Sequence, residues 1–144
     1  MRRNRAGWAA ALVLVLYSVL VSYSAAHHEP WRDEAQAWLI VRDLPLPAVF
    51  QQMVYEGTPA LWHMILLPFA KQGAPYAAEA AVHILLAIAA VALLLRRGPF
   101  PLWFKALFVF SYYMSYEYAV IARNYNLTVL LLFALAALCH PRTV

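Results

Sequence analysis

The chain has 144 residues, 65% of them hydrophobic and 12% charged, with a formal net charge of +4. Its mean hydropathy is +0.62, whereas an ordinary soluble domain is about half apolar and about a quarter charged. This composition excludes a disordered chain and points to an integral membrane protein. Basic residues gather at the edges of apolar runs, where they face lipid head groups, so nucleic acid is not an expected partner.

Residues 6–26 carry no charge and, at about 1.5 Å per residue, match a hydrocarbon core about 30 Å thick. They predict a first membrane span. Arg2, Arg3 and Arg5 precede it and Ser24-Ala25-Ala26 end it, a layout that also fits a secretory signal with its cleavage site. The apolar run is longer than a signal core, however, and further spans follow. Residues 76–95 predict a second span, with Glu79 and His83 near its start and Arg96-Arg97-Gly98-Pro99 after it. Residues 102–121 predict a third, with Lys105 and Glu117 near its ends, and residues 124–139 a short fourth, stopped by Pro141. Residues 58–70 are apolar but reach only roughly 20 Å and contain Pro59 and Pro68. They are assigned to the membrane interface.

Charge supports this count. With four spans and a cytoplasmic N-terminus, Arg2, Arg3, Arg5, Arg96, Arg97, Lys105 and Arg142 all fall inside. Glu29, Asp33, Glu34, Asp43, Glu56, Glu79 and Glu117 fall on or near the outer side. A fifth span at 58–70 would throw Arg96 and Arg97 outside, against the positive-inside bias. With no linker, repeat or low-complexity tract, residues 1–144 read as one all-α domain: a multi-pass helical bundle in the cell membrane. Interfacial helices occupy its first outer loop, residues 27–75.

That loop concentrates the polar groups. Pro30 is placed to open a helix and Leu44-Pro45 to close it. Trp31, Ala35, Trp38 and Leu39 then share one face at helical spacing, which suits the interface plane. Asp33 and Glu34 fall in the first turn, where the positive end of the helix dipole favours negative charge. Acids there are ordinary as caps, yet a carboxylate at a membrane surface can also take a proton from an attacking hydroxyl or help hold a divalent metal. A second short helix is expected over 47–55, closed before Gly57, with Val49, Phe50, Met53 and Val54 as its apolar side. Glu56 follows, held beside the interfacial segment where it can approach Asp33. His27, His28 and His63 lack recognisable metal-ligand spacing and read first as interfacial histidines. Cys139 is the single cysteine, so neither an intrachain disulfide nor a two-cysteine metal set is available.

Ionisable groups at membrane depth are costly, so Glu117 and Arg123 should face a polar cavity or each other. The tyrosines around them, Tyr125 included, also fit an aromatic belt. An anionic substrate approaching an acidic loop needs a cationic clamp; Arg123 is the first choice, followed by Arg32 and Lys71.

Three pieces in this order resemble a known superfamily: Trp31-Arg32-Asp33-Glu34-Ala35, then Tyr55-Glu56-Gly57-Thr58-Pro59-Ala60-Leu61-Trp62-His63, then Ala122-Arg123-Asn124-Tyr125. The chain resembles the N-terminal part of a GT-C type glycosyltransferase, similar to protein O-mannosyltransferases, aminoarabinose transferases and the RgtA/B/C/D-like group. The resemblance implies transfer of a sugar from a polyprenyl-phosphate carrier to a hydroxyl acceptor on the non-cytoplasmic face. It assigns Asp33 and Glu34 to catalysis, and Glu56, Arg123, Arg32, Tyr125 and Glu117 to substrate binding; a divalent metal is compatible with it. Two departures stand out: Thr58-Pro59-Ala60 occupies a place where many relatives have a second proline, often after a histidine, and such enzymes run to several hundred residues. A truncated or split enzyme, partnered by further spans from another chain, is therefore expected. The rival reading is a small non-catalytic multi-span membrane protein or assembly subunit. A transporter is disfavoured because the charges gather at one surface.

Overall fold

The computed structural model describes residues 2–139, with side chains from residue 6 onward. Pro141, Arg142 and the side chains of Arg2, Arg3 and Arg5 lie outside the described residues. The described residues fold into helices without a strand: α1 (Arg2–Ala26), α2 (Arg32–Asp43), α3 (Leu46–Glu56), α4 (Leu61–Lys71), α5 (Ala77–Arg97), α6 (Leu102–Val109), a π-helical turn (Tyr113–Glu117) and α7 (Tyr125–Cys139).

Two of these, α1 over Ala6–Ala26 and α5, are long and apolar enough to cross a membrane. The surface of α1 is unlike that of a buried core helix. Tyr17 and Val21 are buried, while Trp8, Leu12, Val15, Leu16 and Val19 are all more than half exposed. Such a bare apolar cylinder suits lipid rather than water. The Tyr17 hydroxyl donates to the Met114 carbonyl at 2.7 Å, which ties α1 to the π-helical turn. Tyr17 and Val21 join Ala87, Val91, Leu94, Val109 and Ala119 in one apolar cluster.

The expected third span is not one helix. α6 stops at Val109, the Tyr118 N–H reaches back five residues to the Tyr113 carbonyl at 2.8 Å, and the chain then runs irregularly to Asn124. Hydroxyls supply part of the cause: Ser111 Oγ donates to the Phe108 carbonyl at 2.7 Å and Ser115 Oγ to the Ser111 carbonyl at 2.8 Å. Serine hydroxyls that compete for carbonyls in this way weaken and bend a helix. The rest of the cause lies in Glu34, which draws in the backbone after the turn. α7 begins at Tyr125 and, with 15 residues, extends only about 22 Å.

The loop elements fall close to their expected limits. Leu44, extended ahead of Pro45, closes α2, because the proline ring disfavours helical backbone in the residue before it. Pro45 and Pro47 open α3, and Gly57 ends it at φ 63. An L side chain is strained there, so Gly57→Ala should destabilise the fold by about 1 kcal/mol, read as a lowered unfolding midpoint. Gly98 closes α5 for a different reason: a Cβ there would stand 2.6 Å from the Leu94 carbonyl oxygen. The Lys105 ammonium donates to the Leu95 and Gly98 carbonyls at 2.9 and 3.1 Å, satisfying carbonyls that the helix end leaves open.

The face of α2 that is buried overlaps the expected one only at Trp38. Glu34, Ala37, Trp38 and Val41 point inward, whereas Trp31 and Leu39 are exposed. In α3, Val49 is buried but Phe50 and Val54 are exposed. α2, α3 and α4 share a second cluster built on Trp38, Val41, Val49, Trp62 and Leu66, with Tyr76, Val82 and Leu86 packed against it. The loop is thus a packed layer seated on the start of α5.

Candidate functional site

A polar pocket of about 220 Å³ opens where α2, the end of α3, the start of α4 and the stretch after the π-helical turn converge. Asp33, Gln36, Glu56, Trp62, His63 and Arg123 are among its lining. Asp33 and Gln36 are three residues apart on α2, so one helical face presents both.

Asp33 is half exposed and pairs with Arg123 at 3.2 Å. Arg123 lies in the irregular stretch before α7 and rests over the Tyr125 ring at 5.3 Å, a cation–π contact that limits its freedom. Pairs this exposed contribute at most about 1 kcal/mol to stability, so the guanidinium can exchange Asp33 for another anion at little cost. Glu56 is held by two amides: Gln36 Nε2 donates to Oε1 at 2.8 Å and Gln52 Nε2 to the same oxygen at 3.0 Å.

Glu34 adjoins Asp33 in sequence but occupies a different environment. It is 2% exposed, and three groups converge on its carboxylate: the Trp31 N–H at 2.7 Å, His28 Nε2 at 3.0 Å and the Ala122 N–H at 2.5 Å. Its reach back to Trp31 stabilises the start of α2 in the manner of a capping-box acid. The bond to Ala122 sets the adjacent Arg123 over Asp33. One acid therefore faces the pocket while its neighbour anchors the backbone that brings the cation.

Other candidates lie elsewhere. Arg32 is almost fully exposed and stands 3.9 Å from Asp33, outside the pocket lining. Glu117 accepts from the Tyr112 hydroxyl at 3.0 Å and does not meet Arg123. Lys71 donates to the Arg42 and Leu44 carbonyls at 3.0 and 2.8 Å, which makes it a cap for α2 instead of a clamp. Beside it Arg42 and Asp43 pair at 2.7 Å, and the Arg42 hydrogen bond draws the Asp43 carboxyl below its ordinary range. The three loop histidines separate: His27 bonds the Tyr23 carbonyl at 2.8 Å, His28 bonds Glu34 and His63 lines the pocket. Among the described residues, no three His, Cys, Asp or Glu side chains are grouped to hold a metal ion.

Sequence reading placed Asp33, Glu56 and Arg123 in prospect but missed Gln36, Trp62 and His63 as pocket residues. Gln36 was within reach of it, since it lies one turn beyond Asp33. His63 reads from sequence as an interfacial histidine, and Trp62 and His63 otherwise enter only through the motif that carries the resemblance. Comparison with protein-family models, with curated proteins and with solved structures finds no match.

Proposed function

We propose that this chain belongs to a membrane glycosyltransferase that moves a sugar from a polyprenyl-phosphate carrier to a hydroxyl acceptor on the non-cytoplasmic face. The observation that carries this reading is the pairing of Asp33 with Arg123 at 3.2 Å on a pocket that Glu56 also lines. The donor phosphate takes the guanidinium from Asp33 through two N–H donors, as the planar fork allows. The freed carboxylate accepts the proton of the acceptor hydroxyl as its oxygen bonds to the anomeric carbon. The bond from that carbon to the phosphate oxygen breaks, its electron pair leaves on the phosphate, and Arg123 balances the added charge. Glu56, fixed by Gln36 and Gln52, orients a hydroxyl on the opposite wall.

In this reading the chain is a multi-pass protein of the cell membrane with a cytoplasmic N-terminus. α1 and α5 cross the bilayer, and α6 with the π-helical turn and α7 provide two more passes. Arg96 and Arg97 end α5 and Arg2, Arg3 and Arg5 precede residue 6, the distribution that the positive-inside bias favours.

Topology supplies the test. Tyr55 is 84% exposed beside Glu56, so Tyr55→Cys in a Cys139→Ser background offers one reporter thiol. A membrane-impermeant maleimide added to intact cells should label it fully. Labelling that requires permeabilised cells places the pocket on the wrong face and refutes the proposal.

A further inference from the structure

The buried end of the pocket differs in chemistry from its mouth. Trp62 and His63, neighbours at the start of α4, are 2% and 4% exposed. The Trp62 indole N–H and both ring nitrogens of His63 lack a hydrogen-bond partner. Buried polar groups are nearly always satisfied, and each one left open costs about 1–3 kcal/mol. Three such atoms on two adjacent side chains, both lining one cavity, mark a place that a polar ligand completes.

The side chains are held in place. The Trp62 ring packs edge-on against His83 at 5.5 Å, and His83 is itself bonded to the Tyr118 carbonyl at 3.0 Å. Burial keeps the His63 imidazole below the ordinary histidine range despite the pull of Glu56, so near neutral pH it offers one N–H donor and one acceptor. The indole adds a donor. A bare anion needs donors alone; a hydroxyl both donates and accepts a hydrogen bond, and a polyhydroxyl ring matches donors and an acceptor together.

We infer that Trp62 and His63 form a subsite for the hydroxyl groups of a sugar ring whose phosphate is held at the mouth by Arg123. The inference rests on the glycosyl-transfer reading and gives its pocket two compartments, a charged mouth for phosphate and a neutral floor for the ring. Tryptophan and histidine here act on the unreacted hydroxyls, so they position the ring and take no part in bond breaking.

Sugar 1-phosphates and inorganic phosphate separate the two compartments. The full chain in nanodiscs is titrated with phosphate and with the 1-phosphates of glucose, mannose, galactose and N-acetylglucosamine, while the Trp62 indole N–H is followed by NMR. At least one sugar 1-phosphate should bind about tenfold more tightly than phosphate and shift the indole signal, as expected for hydrogen bonds to a ring. His63→Leu should remove that advantage and leave phosphate binding unchanged. His63→Gln, which retains a donor and an acceptor, should recover part of it and also covers a folding defect in the leucine variant. Arg123→Ala should weaken phosphate and sugar phosphates alike. If phosphate binds through Arg123 but no sugar 1-phosphate binds more tightly or moves the indole, the floor inference is overturned and the transfer reading survives. If Arg123→Ala changes neither ligand, the transfer reading fails with it.

Discussion

Replacing Asp33 with alanine should lower turnover at least about a hundredfold, the scale of a lost general base, while the protein stays inserted and helical. The expectation follows from its setting. Asp33 is half exposed and, among the described residues, makes ion pairs only with Arg123 at 3.2 Å and, at the edge of contact, with Arg32 at 3.9 Å. Removing it strands no buried group, so the fold should lose at most about 1 kcal/mol. Single-turnover transfer of a labelled sugar from polyprenyl phosphate, with circular dichroism of the same preparation, reads both quantities. Asp33→Asn separates proton acceptance from packing and should be almost as inactive. Full turnover in either variant would falsify the role given to this carboxylate.

Glu34→Ala should behave in the opposite way, failing through the structure. The substitution leaves the N–H groups of Trp31 and Ala122 without their acceptor and His28 without its partner. Breaking a buried, multiply bonded charge costs about 3–5 kcal/mol. A fall of that size should appear as a lower unfolding midpoint, together with faster hydrogen exchange at the Ala122 amide. Glu34→Gln can still accept with its carbonyl oxygen and should recover part of the loss. An unchanged midpoint and unchanged exchange in Glu34→Ala would show that something else holds residues 119–122 in place.

The contrast between these two acids shows what the sequence could and could not disclose. Both were expected in the first turn of α2, and both are there, because Pro30 and Leu44-Pro45 mark the helix ends by local sterics. Their opposite directions were hidden. The expected apolar face, counted from Trp31, runs through Ala35, Trp38 and Leu39, whereas the buried stripe runs Glu34, Ala37, Trp38, Val41, so the two share only Trp38. A carboxylate belongs on a buried stripe only if donors await it, and the donor from Ala122 comes from 88 residues away. Periodicity cannot anticipate such a partner.

The same distance effect explains the third segment. Residues 102–121 are apolar throughout most of their length, and hydropathy alone gives a continuous span. The serine hydroxyls that bend the backbone were visible, but the attraction of Glu34 for the stretch beyond Glu117 was not. The pocket was legible in part: Asp33, Glu56 and Arg123 stand out as charges beside apolar runs. Trp62 and His63 do not, since a tryptophan and a histidine in an interfacial apolar segment carry no signal of a pocket until their nitrogens are found without partners.

The bond between Glu34 and the Ala122 amide also sets an order of assembly. At about 5–20 residues per second, the ribosome needs roughly 4–18 s to add the 88 residues that separate the two. For most of that interval α2 is complete while its acid lacks the distant amide. A nascent chain stalled before residue 122 should therefore already hold the two loop carboxylates near the bilayer surface but have no closed cavity between them. The pocket is completed only once residues 122–124 have been added and the stretch ahead of α7 is drawn onto Glu34.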